Sequence, residues 1–290
     1  MSAAGGPVPL EVRQSWLSDA RSHLDAELER VLGDRWRLDG RRRPPRREWV
    51  TISDFDVTQP CATRFARPSD DESSPSVTTL VTRALAKLAL AEWDGVEPPV
   101  RALDRTLATL AEPAWVAEAL DELDSAARAA VRASVEAWMA DVLSSVRGRS
   151  DLRWEVERAR VDVPGRSIRL TAACDARLGE RLRPTTLLVH SGRVPDEHHD
   201  RIVAGFVALV VSFWAQAVPE RVRCSTAGTG TTRAVPITPE VLAVAVGRIV
   251  DLAAAVAEPE TAPLAPGGWC RWCHRLGECE PGQSQLGGST

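Results

Sequence analysis

The chain predicts an α/β fold of the α+β kind: a small mixed sheet flanked by helices, with a helical part in front and a metal-binding tail behind. Three observations carry this. Apolar residues recur at helical spacing through most of the first 146 residues. From about residue 152 the pattern changes to short alternating runs separated by turn residues. Near the end a proline-rich stretch leads into three closely spaced cysteines, Cys270, Cys273 and Cys279.

Residues 9–33 place Leu10, Trp16, Leu17, Leu24, Leu28 and Leu32 on one face and predict an amphipathic helix. "RRRPPRR" (41–47) then puts five arginines in seven positions, which reads equally as a solvated segment or as a phosphate-binding one. "EWVTIS" (48–53) predicts a strand, with Ser53 as cap for a helical turn beginning "DFDV". After the polar loop 67–76, residues 77–93 predict a second amphipathic helix. The alanine- and leucine-rich stretch 99–146, broken at Pro113, predicts two more. "RWEVERARVDV" and "RSIRLTAACDARL", joined by "PGR", predict a β-hairpin, and "TTLLVHS" (185–191) a third strand. An apolar helix follows at 197–217, then strand material in "RVRCSTAGT" and "TRAVPI". A last helix starts at Thr238–Pro239, where threonine caps and proline takes the first turn, and runs to about 257.

With 290 residues, 44% apolar and 26% charged, the chain is long enough for a proper core. Its net charge of −4 carries no overall nucleic-acid signature. The N-terminus lacks the basic and apolar regions of a signal peptide, and the longest apolar stretch, 202–218, is short for a membrane span. A soluble cytoplasmic protein without membrane contact is expected. In a reducing compartment clustered cysteines indicate metal rather than disulfides. Lys87 is the sole lysine and tyrosine is absent, so any chemistry that needs a lysine must use Lys87.

A C-x2-C pair lets two thiolates converge from one tight turn, and Cys279 comes within reach if the loop curls back. Three thiolates leave a four-ligand set incomplete. Cys61, Cys174, Cys224 and His274 are candidates for the fourth place. Cys174 and Cys224 lie in apparent strands, where a buried thiol needs no further explanation. His274 would make a Cys3His zinc knuckle. Cys61 follows Pro60 at the end of a short turn, where packing alone gives a cysteine little.

"ISDFDVTQPCATRF" and "PGGWCRWCHRLGEC" together resemble the opening and closing motifs of RecB-like PD-(D/E)XK nucleases that carry a 4Fe-4S cluster, among them AddB-type nucleases and CRISPR-associated RecB-like exonucleases. WhiB-like regulators share the C-terminal spacing but keep their first cysteine close by. The resemblance spans about residues 48–282. It implies a PD-(D/E)XK core with a helical insert at about 99–146, a sheet core at 152–236 and a cluster tail at 266–282. Residues 1–47 would form an N-terminal helix and basic linker, and 283–290 a disordered tail. The resemblance also implies Cys61, Cys270, Cys273 and Cys279 as cluster ligands that join the two ends of the domain.

The family hydrolyses phosphodiesters with carboxylate-held Mg2+ or Mn2+ and a lysine. Along the same resemblance Asp175 in "AACDARLG" is the retained acid, Leu188 stands in place of the second acid and His190 in place of the lysine. Thr82 stands where an early-helix histidine is expected, and Lys87 lies in the wrong element to substitute. Asp175 alone is a poor Mg2+ site. Glu197, His198, His199 and Asp200 are candidates for a relocated ligand.

The expectation is therefore a nuclease fold without catalysis, kept as a DNA-binding or scaffolding subunit beside a helicase or an active nuclease. Arg41, Arg42, Arg43, Arg46, Arg47, Arg64 and Arg67 are its candidate phosphate contacts, and Trp269 and Trp272 either stack on bases or shield the cluster. An active metal-dependent nuclease with a relocated carboxylate is the alternative. A redox- or iron-sensing protein on the same fold is a further one.

Overall fold

The computed structural model describes residues 8–38, 49–54, 56–58, 61–62, 65, 77–145, 152–155, 158–180, 183–191, 197–226, 232–267, 270, 273 and 276–287. Helix α1 (Leu10–Leu32) precedes strand β1 (Val50–Ser53) and a 3-10 turn at Asp56–Thr58. Four helices follow: α2 (Val77–Glu92), α3 (Pro99–Thr109), α4 (Ala114–Asp121) and α5 (Ser125–Ser145). The sheet region holds β2 (Arg153–Trp154), β3 (Ala159–Asp162), β4 (Ile168–Ala172), β5 (Ala176–Glu180) and β6 (Arg183–Ser191). Helix α6 (Glu197–Ala215), β7 (Arg221–Thr226), β8 (Thr232–Pro236), α7 (Pro239–Ala257) and α8 (Glu280–Gly287) complete the described elements. None of the described helices is long and apolar enough to cross a membrane.

The fold is mixed α/β with two mixed sheets among the described residues. One has the order β1-β4-β3, the other β2-β5-β6-β7-β8. The expected hairpin is present: β3 and β4 pair antiparallel around the 164–165 turn, with Gly165 at φ +70. Strand β6 pairs antiparallel with β5 and parallel with β7, the two parallel strands being linked through α6. That crossover explains the apolar run at 202–218. Helix α6 contacts β3 and β4 of one sheet and β7 of the other, and α1 and α7 pack on it. Its residues 203–213 are buried throughout. Each large apolar side chain so placed contributes roughly 1.5–3 kcal/mol. Thr238 caps α7 by accepting from the Val241 amide at 3.4 Å.

Leu17, Leu24, Leu28 and Leu32 of α1 enter the same core as α6, α7 and both sheets, so this helix shares the sheet domain's interior. Residues 99–145 hold three helices where two were expected. The extra break falls at 122–124, where the Asp124 carboxylate accepts from the Ala127 amide at 2.7 Å and starts α5. An unbroken run of good helix formers hid that cap. Where a disordered tail was expected from residue 283, residues 283–287 belong to helix α8, and 288–290 lie outside the described residues. The Gln283 side chain secures it by donating to the carbonyls of Leu276 and Gly277 at 2.9 and 2.8 Å.

Candidate functional site

Successive tight turns position the C-terminal cysteines. The amide of Cys270 donates to the Gly267 carbonyl (2.9 Å), that of Cys273 to Cys270 (2.9 Å), Leu276 to Cys273 (3.1 Å) and Cys279 to Leu276 (3.2 Å). Each bond spans three residues, so the C-x2-C-x5-C spacing carries the chain through consecutive turns from Gly267 to Cys279. At the other end of the domain, Val57 and Ala62 are buried in the main core and Phe65 packs against it, which fixes the backbone on both sides of Cys61.

These two segments meet. Cys61, Cys270, Cys273 and Cys279 line one pocket, whose other walls are Leu264, Ala265, Pro266, Leu276, Pro281 and Gly282. The cavity between these walls is about 30 Å³. Gly282 is buried in α8, and a Cβ there would stand 3.3 Å from Cys279 Sγ and 3.5 Å from Cys270 Sγ, so these two sulfurs are neighbours. The Gly267 amide donates to Cys270 Sγ at 3.3 Å. All six cysteines of the chain are free thiols.

None of the lining residues carries a formal charge other than an ionised thiol. Arg248 of α7 interacts electrostatically with Cys61, and its Nε donates to the Val57 carbonyl at 3.1 Å. Burial lowers the Arg248 pKa, while Asp251 and Cys61 act to raise it. Sequence reasoning missed Arg248 and Gly282. The only trace of either is a glycine three residues past Cys279.

Among the described residues no group of three or more His, Cys, Asp or Glu side chains is placed so as to hold a metal ion. A tetrahedral zinc site needs its four sulfurs within about 4 Å of one another, and that arrangement is not preformed here. The donor set itself is four thiols lining an otherwise apolar pocket. Thiols are the donor type that both zinc and iron–sulfur groups take. His274, Trp269 and Trp272 lie outside the described residues, as do Arg41, Arg42, Arg43, Arg46, Arg47, Arg64 and Arg67.

The other two cysteines are core thiols, as their strand positions suggested. Burial pushes the Cys174 and Cys224 pKa values up to about 12, with Asp175 adding to the first and Asp200 to the second. Cys174 Sγ donates to the Ala176 carbonyl at 3.0 Å.

Asp175 sits between β4 and β5, its amide donating to the Leu188 carbonyl at 2.8 Å. The acid and the position assigned to a second acid are thus adjacent, but Leu188 is 1% exposed and apolar. The sequence reading of Lys87 requires correction here. Lys87 Nζ lies 2.7 Å from Asp175 Oδ1 and donates to the Cys174 carbonyl at 3.3 Å. Both side chains are buried, at 7% and 6% exposure. Helix α2 is covered on two sides, by α3 and α5 and by β2, and Lys87 emerges on the strand side. Linear distance in the chain concealed this; the signal available was that the chain's one lysine falls inside an apolar helix.

The other candidate ligands are committed elsewhere or exposed. Asp200 is 2% exposed, with Arg233 Nε of β8 at 3.7 Å, and its carbonyl accepts from Cys224 Sγ at 3.6 Å. Glu197 and His198 are exposed at the start of α6, and Thr82 is half-buried in α2. His190 pairs through its backbone with Ser225. No family model and no curated protein matches this chain.

Proposed function

We propose that this protein is an iron–sulfur-bearing, catalytically inactive protein of the RecB-like PD-(D/E)XK nuclease fold, acting as a DNA-binding or scaffolding subunit in repair, recombination or defence. The observation that carries the reading is the single pocket lined by Cys61 and the C-terminal trio, from opposite ends of a mixed α/β domain. Cys61, Cys270, Cys273 and Cys279 would hold a 4Fe-4S cluster. The cluster would supply cross-linking, joining the turn after β1 to the tail beyond α7, and the apolar walls would keep water from it.

The inactive half of the reading rests on Lys87 and Asp175. An ammonium in direct contact with Asp175 Oδ1 already balances the carboxylate and stands where a divalent cation would have to bind. The neighbouring Leu188 offers no oxygen. The same contact also revives the alternative of an active nuclease, because it brings an acid and a lysine together. Burial of both groups weighs against that alternative, since a phosphodiester must reach the metal.

Iron and acid-labile sulfide per chain, measured after anaerobic purification of the wild type and Cys61→Ala, test the cluster. About four of each, lost in the variant, is the expected result. Zinc that survives the Cys61 change would instead indicate a knuckle on the tail. For activity, Mg2+- or Mn2+-dependent cleavage of DNA that Asp175→Ala abolishes would establish the nuclease alternative; no cleavage is expected.

A further inference from the structure

The two faces of β7 meet different surroundings. Val222 and Cys224 enter the core around α6, and Cys224 Sγ donates to the Asp200 carbonyl of that helix at 3.6 Å. Alternation along the strand therefore turns Arg221, Arg223 and Ser225 to the opposite face. On that face Arg223 is level with Leu188 of β6, which packs with Val142 of α5 and Ala176 of β5. It is the side of the sheet that α5 and its neighbour α2 cover, where Lys87 meets Asp175.

This row carries donors without acceptors. Arginines elsewhere on the sheets hold carboxylates, as Arg166, Arg169 and Arg177 do. Arg223, by contrast, is half-buried and makes no hydrogen bond or ion pair among the described residues. The Arg221 side chain is 53% exposed, and its ion pair there is a long one, 3.7 Å to Glu220 Oε2. Glu220 is shared with Arg13, at 3.6 Å. Next along the row, Ser225 Oγ and Thr232 Oγ1 are opposed in register across β7 and β8, both buried and without a hydrogen-bond partner. A half-buried guanidinium beside Leu188 and Ala234, with no anion against it, is costly to keep, and hydroxyls without acceptors add to that cost. Nor does the acid motif repel an incoming anion: Lys87 balances Asp175, and Leu188 carries no charge.

We infer that Arg221 and Arg223 form a phosphate-binding row on this face of β7 and take successive phosphates of one DNA strand, a contact that needs no metal ion. The inference rests on the proposed DNA-binding function and locates one contact of it. Residues two apart on a strand lie about 6.8 Å from each other, which is comparable with the spacing of phosphates along an extended nucleic-acid strand. A guanidinium suits the task because its fork donates to two phosphate oxygens at once. An acidic peptide offers similar charge, and the test separates the two.

The test measures binding of a labelled single-stranded oligonucleotide to the full chain as a function of salt. Wild type is compared with Arg221→Ala, Arg223→Ala, Arg223→Lys and the double alanine variant, with thermal melting as the control for folding. Each single alanine change is expected to weaken binding about three- to tenfold, and Arg223→Lys to weaken it less. The double variant should lower the slope of log affinity against log salt by about 1.4. An abasic strand should bind as well as a normal one, because no base is read. Unchanged affinity and salt slope in the double variant, with wild-type binding intact, would overturn the row and leave the DNA-binding reading standing. Competition by polyglutamate as strong as by unlabelled strand at equal charge would overturn phosphate recognition in favour of an acidic protein partner. No binding by the wild type would remove the DNA reading and the row with it.

Discussion

Lys87 and Asp175 show how much can depend on one contact. A buried ammonium and carboxylate are tolerable only as a pair, and removing one leaves an uncompensated charge in a medium that solvates it poorly. Lys87→Met should therefore destabilise the fold by about 3–5 kcal/mol in urea unfolding, and adding Asp175→Leu should recover most of the loss. A lone Lys87→Met as stable as the wild type would mean that the pair is not formed. Cys174 gives a pH-dependent counterpart. Its thiol pKa is raised to about 12 in the fold, while an unfolded thiol titrates near about 8.5. Between these values the unfolded chain loses a proton that the folded chain keeps, so stability falls as pH rises. The slope approaches about 1.4 kcal/mol per pH unit for each such thiol. Cys174→Ala should reduce the slope of unfolding free energy between pH 9 and 11 by about that amount.

At the scale of elements, the close crossing of α6 and α7 organises the core beneath the sheets. Gly205 permits it: an added Cβ would lie 2.6 Å from the Val241 carbonyl oxygen and 3.1 Å from Val241 Cγ1. Gly205→Ala is expected to destabilise by about 1–3 kcal/mol although alanine is the better helix former, because backbone at the contact must shift. An increase in stability would show that the two helices separate at little cost. The helical run of α6 was legible from apolar periodicity and length, and that of α7 from its Thr238–Pro239 start. The Asp124 break was written in the sequence as well, but a strong helical pattern on both sides masked it. Helix α8 was not legible. Its order depends on the Gln283 bonds to preceding carbonyls and on Gly282 seated against the cysteine sulfurs.

At the scale of the molecule, the described tail after α7 adds little to the main core, in which Ala255 is the last buried member and Ala257 and Ala262 are only partly buried. Beyond that point, buried Gly267 and Cys270 stand at the cysteine pocket. If a cluster occupies the pocket, chelating its iron should make residues 258–287 sensitive to limited proteolysis while 10–257 remain resistant. Equal resistance with and without iron would mean that packing alone holds the tail. Helix α1 behaves in the opposite way. Its buried Leu17, Leu24, Leu28 and Leu32, and Arg13 donating to the Val218 carbonyl at 2.6 Å, bind it into the domain without any cofactor.

By itself the sequence determined the order and type of most elements, because periodicity, caps and turn residues are local signals. It also singled out Cys270, Cys273 and Cys279, since a sparing use of cysteine makes their spacing conspicuous, while Cys61 was joined to them through the resemblance to RecB-like nucleases. Only the tertiary structure decided that Cys61 shares a pocket with a trio more than two hundred residues away. It likewise set Lys87 against Asp175. Those two juxtapositions depend on where helices settle across sheets. Burial of apolar faces settles it, and no local pattern encodes the resulting neighbours.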